Sequence, residues 1–143
     1  MPEEVTFLVE RLTELRRHLD HLESLRPRVG DRGALQRDLS LHNDVLFSLL
    51  MVAQLVIDIA GELASRRGAR FEDYVGAVRA LGADERFPTD LVQQLERLPG
   101  FRNVLIHEYA ELDLDRAVAA LNALEPVRRF LAIVAGIESN DIA

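Results

Sequence analysis

The segment from about Leu35 to Ser65 limits the fold more than any other, because its apolar residues cover much more than one stripe of a helix. Leu39, His42, Leu46, Leu49, Ala53, Val56, Ala60 and Leu63 recur at spacings of three and four on one face, and Val45, Val52, Leu55 and Ile59 form an adjoining one. A helix apolar over so wide an arc has to be surrounded by other elements, so it is expected at the centre of the molecule. One polar strip remains on it: Gln54, Asp58 and Glu62, each four residues from the last.

The rest of the chain reads as helices packed around that one. A first helix opens with Pro2, Glu3 and Glu4 and carries Val5, Leu8, Leu12, Leu15, Leu19 and Leu22 as a packing seam. Pro27, Gly30 and Gly33 end it in a loop holding Arg26, Arg28 and Arg32. After Gly68 a shorter helix is expected over Phe71–Leu81, closed by Gly82, and Pro88-Thr89-Asp90 starts another that runs to Leu98. Pro99-Gly100 bends the chain into a helix reaching about Ala110. Asp113 or Asp115 then caps a last helix to about Ile137, with Pro126 as an interior kink. No period-two run bounded by hairpin turns is found, so the fold class is all-α, a bundle of four to five helices.

Length and composition narrow the function. The 143 residues suit a single domain, 1-143, burying roughly 68–70% of the surface its unfolded form exposes. The absence of cysteine removes disulfides, thiolate metal sites and cysteine nucleophiles. With no signal-peptide pattern a cytoplasmic location is expected, and with no uninterrupted apolar run of membrane-spanning length no membrane association; Leu46–Ala60 carries Ser48, Gln54 and Asp58. The net charge of −7 opposes broad affinity for a phosphate backbone, so any nucleic acid has to bind at a local basic cleft or through a partner.

Residues 101–109, Phe-Arg-Asn-Val-Leu-Ile-His-Glu-Tyr, place a cation, an amide, an imidazole and a phenol within two helical turns. An Arg-x4-His spacing alone says little, since Arg16/His21 and Arg37/His42 repeat it; Tyr109 and the preceding Pro-Gly set Arg102/His107 apart. If the helix starts at the Pro-Gly break, Arg102 and Asn103 lie in its first turn, where free backbone N–H groups attract a phosphate. On a straight helix Arg102 and Tyr109 lie about 20° apart and Asn103 and His107 about 40°, but Arg102 and His107 about 140°. One helix therefore does not converge Arg102 and His107 on one atom. Were that phosphate part of an RNA backbone, its cleavage would need a base near the ribose 2′-OH, an acid for the leaving 5′-oxygen and a cation for the charge on phosphorus. His107 suits either proton transfer and Arg102 suits the phosphate oxygens, with no metal required. Asn103 is expected to orient His107 or bind phosphate, and Tyr109 to stack on a base or bond the phosphate. The plain alternative pairs Arg102 with a carboxylate, makes Asn103 a cap and leaves His107 and Tyr109 as packing residues.

Other polar residues are weighed in the same way. Asp58, flanked by Ile57 and Ile59, either reaches the cleft to pair with Arg102 or His107 or belongs to an exposed strip with Gln54 and Glu62. His42, on an apolar stripe, is expected to be a core or interface histidine. His18 and His21, near Glu14 and Asp20, are expected on a solvated face rather than as metal ligands, two histidines lacking a third ligand. Arg66, Arg67 and Arg70 form either a solvated loop or a guide for RNA.

With Arg102, Asn103, His107 and Tyr109 in this order the chain resembles the HEPN superfamily and, within it, the HepT-like (DUF86) toxin ribonucleases, whose signature is Arg-polar-x-x-x-His-x-Tyr. The likeness extends upstream to "LVIDIAGEL" and downstream to "YAELDLDRAVAAL", from about residue 38 to 131. The resemblance implies a HEPN-type bundle over the whole chain and a two-fold homodimer in which two motif helices face each other across a composite cleft. It implies a metal-independent endoribonuclease without cofactor, the toxin of a toxin–antitoxin pair. The antitoxin would be a minimal nucleotidyltransferase (MNT) that adenylylates Tyr109. The alternative the resemblance leaves open is a non-catalytic HEPN subunit that binds nucleotide for a nucleotidyltransferase.

Overall fold

The computed structural model describes residues 3–142, and side chains from 6 to 139. Pro2 and the side chain of Val5 lie outside the described residues. Eight α-helices follow in order: α1 Glu3–Leu25, α2 Arg32–Arg37, α3 Leu39–Arg66, α4 Tyr74–Arg79, α5 Thr89–Leu95, α6 Leu98–His107, α7 Leu114–Leu121 and α8 Glu125–Ile142. Single 3-10 turns follow α1, α4 and α6. No strand occurs among the described residues, so the all-α expectation holds. A count of four to five is too low: the short helices expected after Gly68 and at Pro88 are α4 and α5, whereas α2 and α7, expected as parts of α3 and α8, are separate helices.

The apolar stripes are the core. Leu8, Leu12, Leu15, Leu19 and Leu22 of α1 are buried along α3, and α3 in turn buries residues of both its stripes against α1, α6 and α4. These residues join Leu91, Leu95, Phe101, Leu105, Leu121, Phe130 and Val134 in one cluster. Phe130 of α8 is wholly enclosed and lies 6.0 Å from Phe87 between ring centroids. Arg128 fastens α8 to α1, reaching Asp20 at 2.7 Å and Glu23 at 2.9 Å. The hydrogen bond from Arg128 holds the Glu23 carboxyl below its ordinary value and raises the guanidinium in return.

By length and composition α3 is long and apolar enough to cross a membrane: it has 28 residues and a window of mean hydropathy 1.9. The segment holds no unbroken apolar run of that length, but its polar residues Ser48, Gln54 and Asp58 are diluted by Val, Leu, Ile and Ala. Within the fold 61% of that window is buried inside the protein, and α3 is the core helix.

Several boundaries differ from expectation because caps override periodicity. Leu35 belongs to the separate helix α2, and Asp38 breaks the pattern: its extended backbone and its side chain, which accepts from the Leu41 N–H at 3.1 Å, start α3 at Leu39. Pro126 does not kink a helix interior. The chain leaves α7 at Asn122, and Pro126 is the second residue of α8, where its missing N–H costs nothing. Asp113, not Asp115, is the cap, and it caps α7. Gly68 is the one described residue with positive φ, 71°, and it turns the chain out of α3.

Candidate active site

Helix α6 begins before the Pro-Gly pair. Pro99 sits in its first turn and the Phe101 N–H already donates to the Arg97 carbonyl at 3.2 Å. Arg102 is therefore the fifth residue of the helix, and the expected anion site of free N–H groups around Arg102 and Asn103 does not form there. What holds Arg102 is side-chain chemistry. Its Nε donates to Oε1 of Gln54 at 2.8 Å, one terminal nitrogen donates to Oδ1 of Asn103 at 2.9 Å, and the guanidinium carbon lies 5.1 Å from the centre of the Tyr74 ring. A guanidinium braced on three sides retains further N–H groups for an incoming anion.

Asp58 enters this arrangement indirectly. Its Oδ1 accepts from Nε2 of Gln54 at 2.8 Å, which turns the amide so that its oxygen faces Arg102. Neither expectation for Asp58 holds as written: it is half-buried rather than exposed, and it meets Gln54 instead of pairing with Arg102 or His107. The polar strip on α3 is a support for the arginine. Arg102 makes no ion pair with a carboxylate among the described residues and Asn103 is not a cap, so the plain alternative fails for both.

His107 ends α6 as an exposed side chain and makes no hydrogen bond among the described residues. Between Arg102 and His107 the helix is continuous, and the separation of about 140° around its axis stands. For Tyr109 the helical estimate fails. Glu108, at φ −127° and ψ 29°, ends the helix, and Tyr109 opens a 3-10 turn. Its hydroxyl donates to Oδ1 of Asn43 at 3.3 Å and lies 3.4 Å from Nδ1 of His42, whose ring it meets edge-on at 5.8 Å. Tyr109 and Arg102 are thus anchored to points eleven residues apart on α3, roughly 16 Å along its axis.

The structure adds His42, Asn43, Gln54 and Tyr74 to the residues the motif supplies. His42 is half-buried beside Tyr109. Its one sequence signal was a polar residue on an apolar stripe. Tyr74, from α4, had no signal beyond the rarity of tyrosine.

Two other clusters resolve differently from expectation. Of the pair His18 and His21, His21 is exposed as expected but His18 is not: it is half-buried, its Nδ1 is 2.9 Å from Oγ of the buried Ser48, and its ring lies 5.9 Å from that of Phe47 between centroids. Burial holds the His18 imidazole below its ordinary value. Of the three loop arginines, Arg66 reaches Glu138 at 2.9 Å, and Arg67 reaches Asp84 at 3.6 Å and the Ala83 carbonyl at 2.9 Å. Those contacts stitch α3 to α8 and to the loop after α4; Arg67 stays exposed all the same, as does Arg70, which makes no such contact among the described residues.

The sequence and the fold have counterparts among known proteins. The chain is 21% identical over 129 residues to an mRNA nuclease HepT of Shewanella oneidensis, covering 89% of this chain and 95% of that protein. It is 30% identical over 81 residues to an RNase candidate of Archaeoglobus fulgidus, covering 57% of this chain and 61% of that one. Its fold matches that of a tri-AMPylated Shewanella oneidensis HEPN toxin solved in complex with an MNT antitoxin, with a TM-score of 0.78 at 20% identity over 95% of this chain and 99% of the other. The sequence profile of the ribonuclease HepT-like family matches residues 15–134, an interval that holds α3, the braced Arg102, His107 and Tyr109, and the chain belongs to that family.

Proposed function

We propose that this protein is a metal-independent endoribonuclease toxin whose activity an MNT-type nucleotidyltransferase silences by adenylylating Tyr109. The observation that carries this reading is the bracing of Arg102 by Gln54 and Asn103, with an exposed, uncommitted His107 on the same helix, in a chain of the ribonuclease HepT-like family. A fixed guanidinium stabilises charge building on a phosphorane without reorganising, and an imidazole moves the protons. In the reaction the ribose 2′-oxygen gives up its proton and attacks phosphorus. The bond to the 5′-oxygen breaks and that oxygen takes a proton, leaving a cyclic phosphate and a free 5′-hydroxyl.

Since Arg102 and His107 point apart on α6, the reading requires two copies of the helix facing across a two-fold axis. Asn43, Phe47, Leu50 and Gln54 share the face of α3 that carries the motif partners, and on that face Phe47 is 58% exposed, with Ile106 of α6 at 42%. The exposure of these apolar side chains favours a homodimer, in which a second copy would bury them.

Control follows from the exposed phenol. The Tyr109 hydroxyl would attack the α-phosphorus of ATP bound by the partner, releasing pyrophosphate and a proton. The attached AMP would put an anion and a base into the cleft. The test is cleavage of RNA by the purified chain in EDTA, alongside His107→Ala. Cleavage that survives EDTA and vanishes in the variant supports the reading. A wild-type chain that binds nucleotide but cuts no RNA fits the non-catalytic subunit instead.

A further inference from the structure

Tyr74 lies against Arg102 on one side of a recess that the reaction above does not use. The recess has a volume of about 430 Å³ and is lined by Asp73, Tyr74, Val75, Pro99, Gly100 and Asn103. It therefore spans the start of α4 and the first turns of α6. The Tyr74 ring is 42% exposed and both carries the Arg102 guanidinium and walls the recess. Gly100 gives it an open floor, since a Cβ there would meet nothing within 4 Å.

We infer that this recess is a nucleobase subsite, with Tyr74 as its stacking wall, that receives the base next to the phosphate held by Arg102. The inference rests on the ribonuclease reading and adds to it a determinant of which RNA bond is cut.

Three features favour a base over a second phosphate. An aromatic side chain beside a cation is the recurring platform for bases in single-stranded RNA. The carboxylate of Asp73 repels phosphate from the recess while Arg102 attracts it just outside, which orients a nucleotide with its base inward. The edges also offer complementary groups. Oδ1 of Asp73 caps α4 by accepting from the Gly76 N–H at 2.7 Å, leaving Oδ2 as an acceptor for a base N–H. Oδ1 of Asn103 accepts from Arg102, leaving its NH₂ as a donor to a base carbonyl or ring nitrogen. A base presenting a donor and an acceptor on one edge fits both.

The experiment compares the wild type with Tyr74→Ala, Tyr74→Phe and Gly100→Leu. Sites of cleavage are read by sequencing the ends of a random-sequence RNA, and affinity is read with an uncleavable 2′-O-methyl oligonucleotide. Tyr74→Ala and Gly100→Leu are expected to weaken binding on the order of tenfold and to flatten the base preference at one position beside the cut, whereas Tyr74→Phe keeps both. A Cβ at Gly100 meets nothing within 4 Å, so Gly100→Leu enters the recess without displacing a neighbour at its first atom, and an unchanged circular dichroism spectrum separates its effect from misfolding. Unchanged affinity and preference in both variants would overturn the subsite. So would a fall in kcat alone for Tyr74→Ala, which would make the ring only a support for Arg102. A wild type that cuts no RNA defeats the ribonuclease reading, and the binding comparison with the uncleavable oligonucleotide still decides the subsite.

Discussion

Arg102 and Gln54 stand 48 residues apart in sequence and 2.8 Å apart in space, the Nε–H of the first donating to the side-chain carbonyl of the second. Because Asp58 accepts from the amide nitrogen of the same glutamine at 2.8 Å, Gln54 cannot turn without losing one bond or the other. Gln54→Ala should therefore lower RNA cleavage by about ten- to a hundredfold through kcat, by freeing the arginine to wander. Steady-state kinetics with a fluorescent RNA tests this. A variant with wild-type kcat would remove Gln54 from the site.

Replacing the motif residues themselves separates charge from geometry. His107→Ala and Arg102→Ala should each reduce cleavage on the order of 10² or more. Arg102→Lys should recover little, since an ammonium cannot hold Gln54, Asn103 and a phosphate in one plane. Circular dichroism should remain that of the wild type for His107→Ala, an exposed side chain. Full activity in that variant, with contaminating nuclease excluded, would sink the assignment.

Assembly is checked by sedimentation. The wild-type chain should be a dimer at micromolar concentration, and Phe47→Glu combined with Ile106→Glu should yield an inactive monomer with unchanged helix content. These side chains are half-exposed in one copy, so their replacement leaves the core alone. An active monomer would contradict a shared cleft.

Adenylylation should follow the Tyr109 hydroxyl. With ATP, Mg²⁺ and an MNT-type partner, mass spectrometry should find AMP added in steps to the wild type, and cleavage should cease. Tyr109→Phe should gain none, while the other tyrosine, Tyr74, stays unmodified in both. AMP on Tyr74, or undiminished on the phenylalanine variant, would refute the switch.

The half-buried His18 gives a pH dependence whose sign is set by its lowered pKa, mainly through desolvation, with Glu14 opposing and Arg17 and His21 adding to it. The unfolded chain takes up the proton near the ordinary value of 6.5 while the folded chain still resists. Stability should therefore fall as pH drops from about 7 through the folded value. Urea unfolding at pH 7.5 and 5.5 should register a larger loss for the wild type than for His18→Gln. Equal losses would mean that the imidazole protonates freely in the fold. Glu23 and Asp84, whose carboxyls are held low by Arg128 and Arg86, act only in the more acid range below their ordinary values.

Read alone, the amino-acid sequence is enough to show that the chain is all-helical, which faces of α1 and α3 are buried, and that Arg102, Asn103, His107 and Tyr109 form one motif. Each of these is local information: a 3.6-residue period and a nine-residue motif need no knowledge of distant chain. Helix ends were less legible, because one cap such as Asp38, or a proline at position two of α8, outweighs an apolar pattern that runs through it. What the motif residues touch depends on how the helices pack. Gln54 and Asp58 read as a solvated strip until α6 lay across them, and His42 reads as packing until the end of α6 turns Tyr109 back toward α3. Tyr74 carried no local sign of its place beside Arg102. Hydrogen bonds between α3 and α6 span tens of residues, and their partners are chosen by the packing of whole helices, which periodicity does not encode.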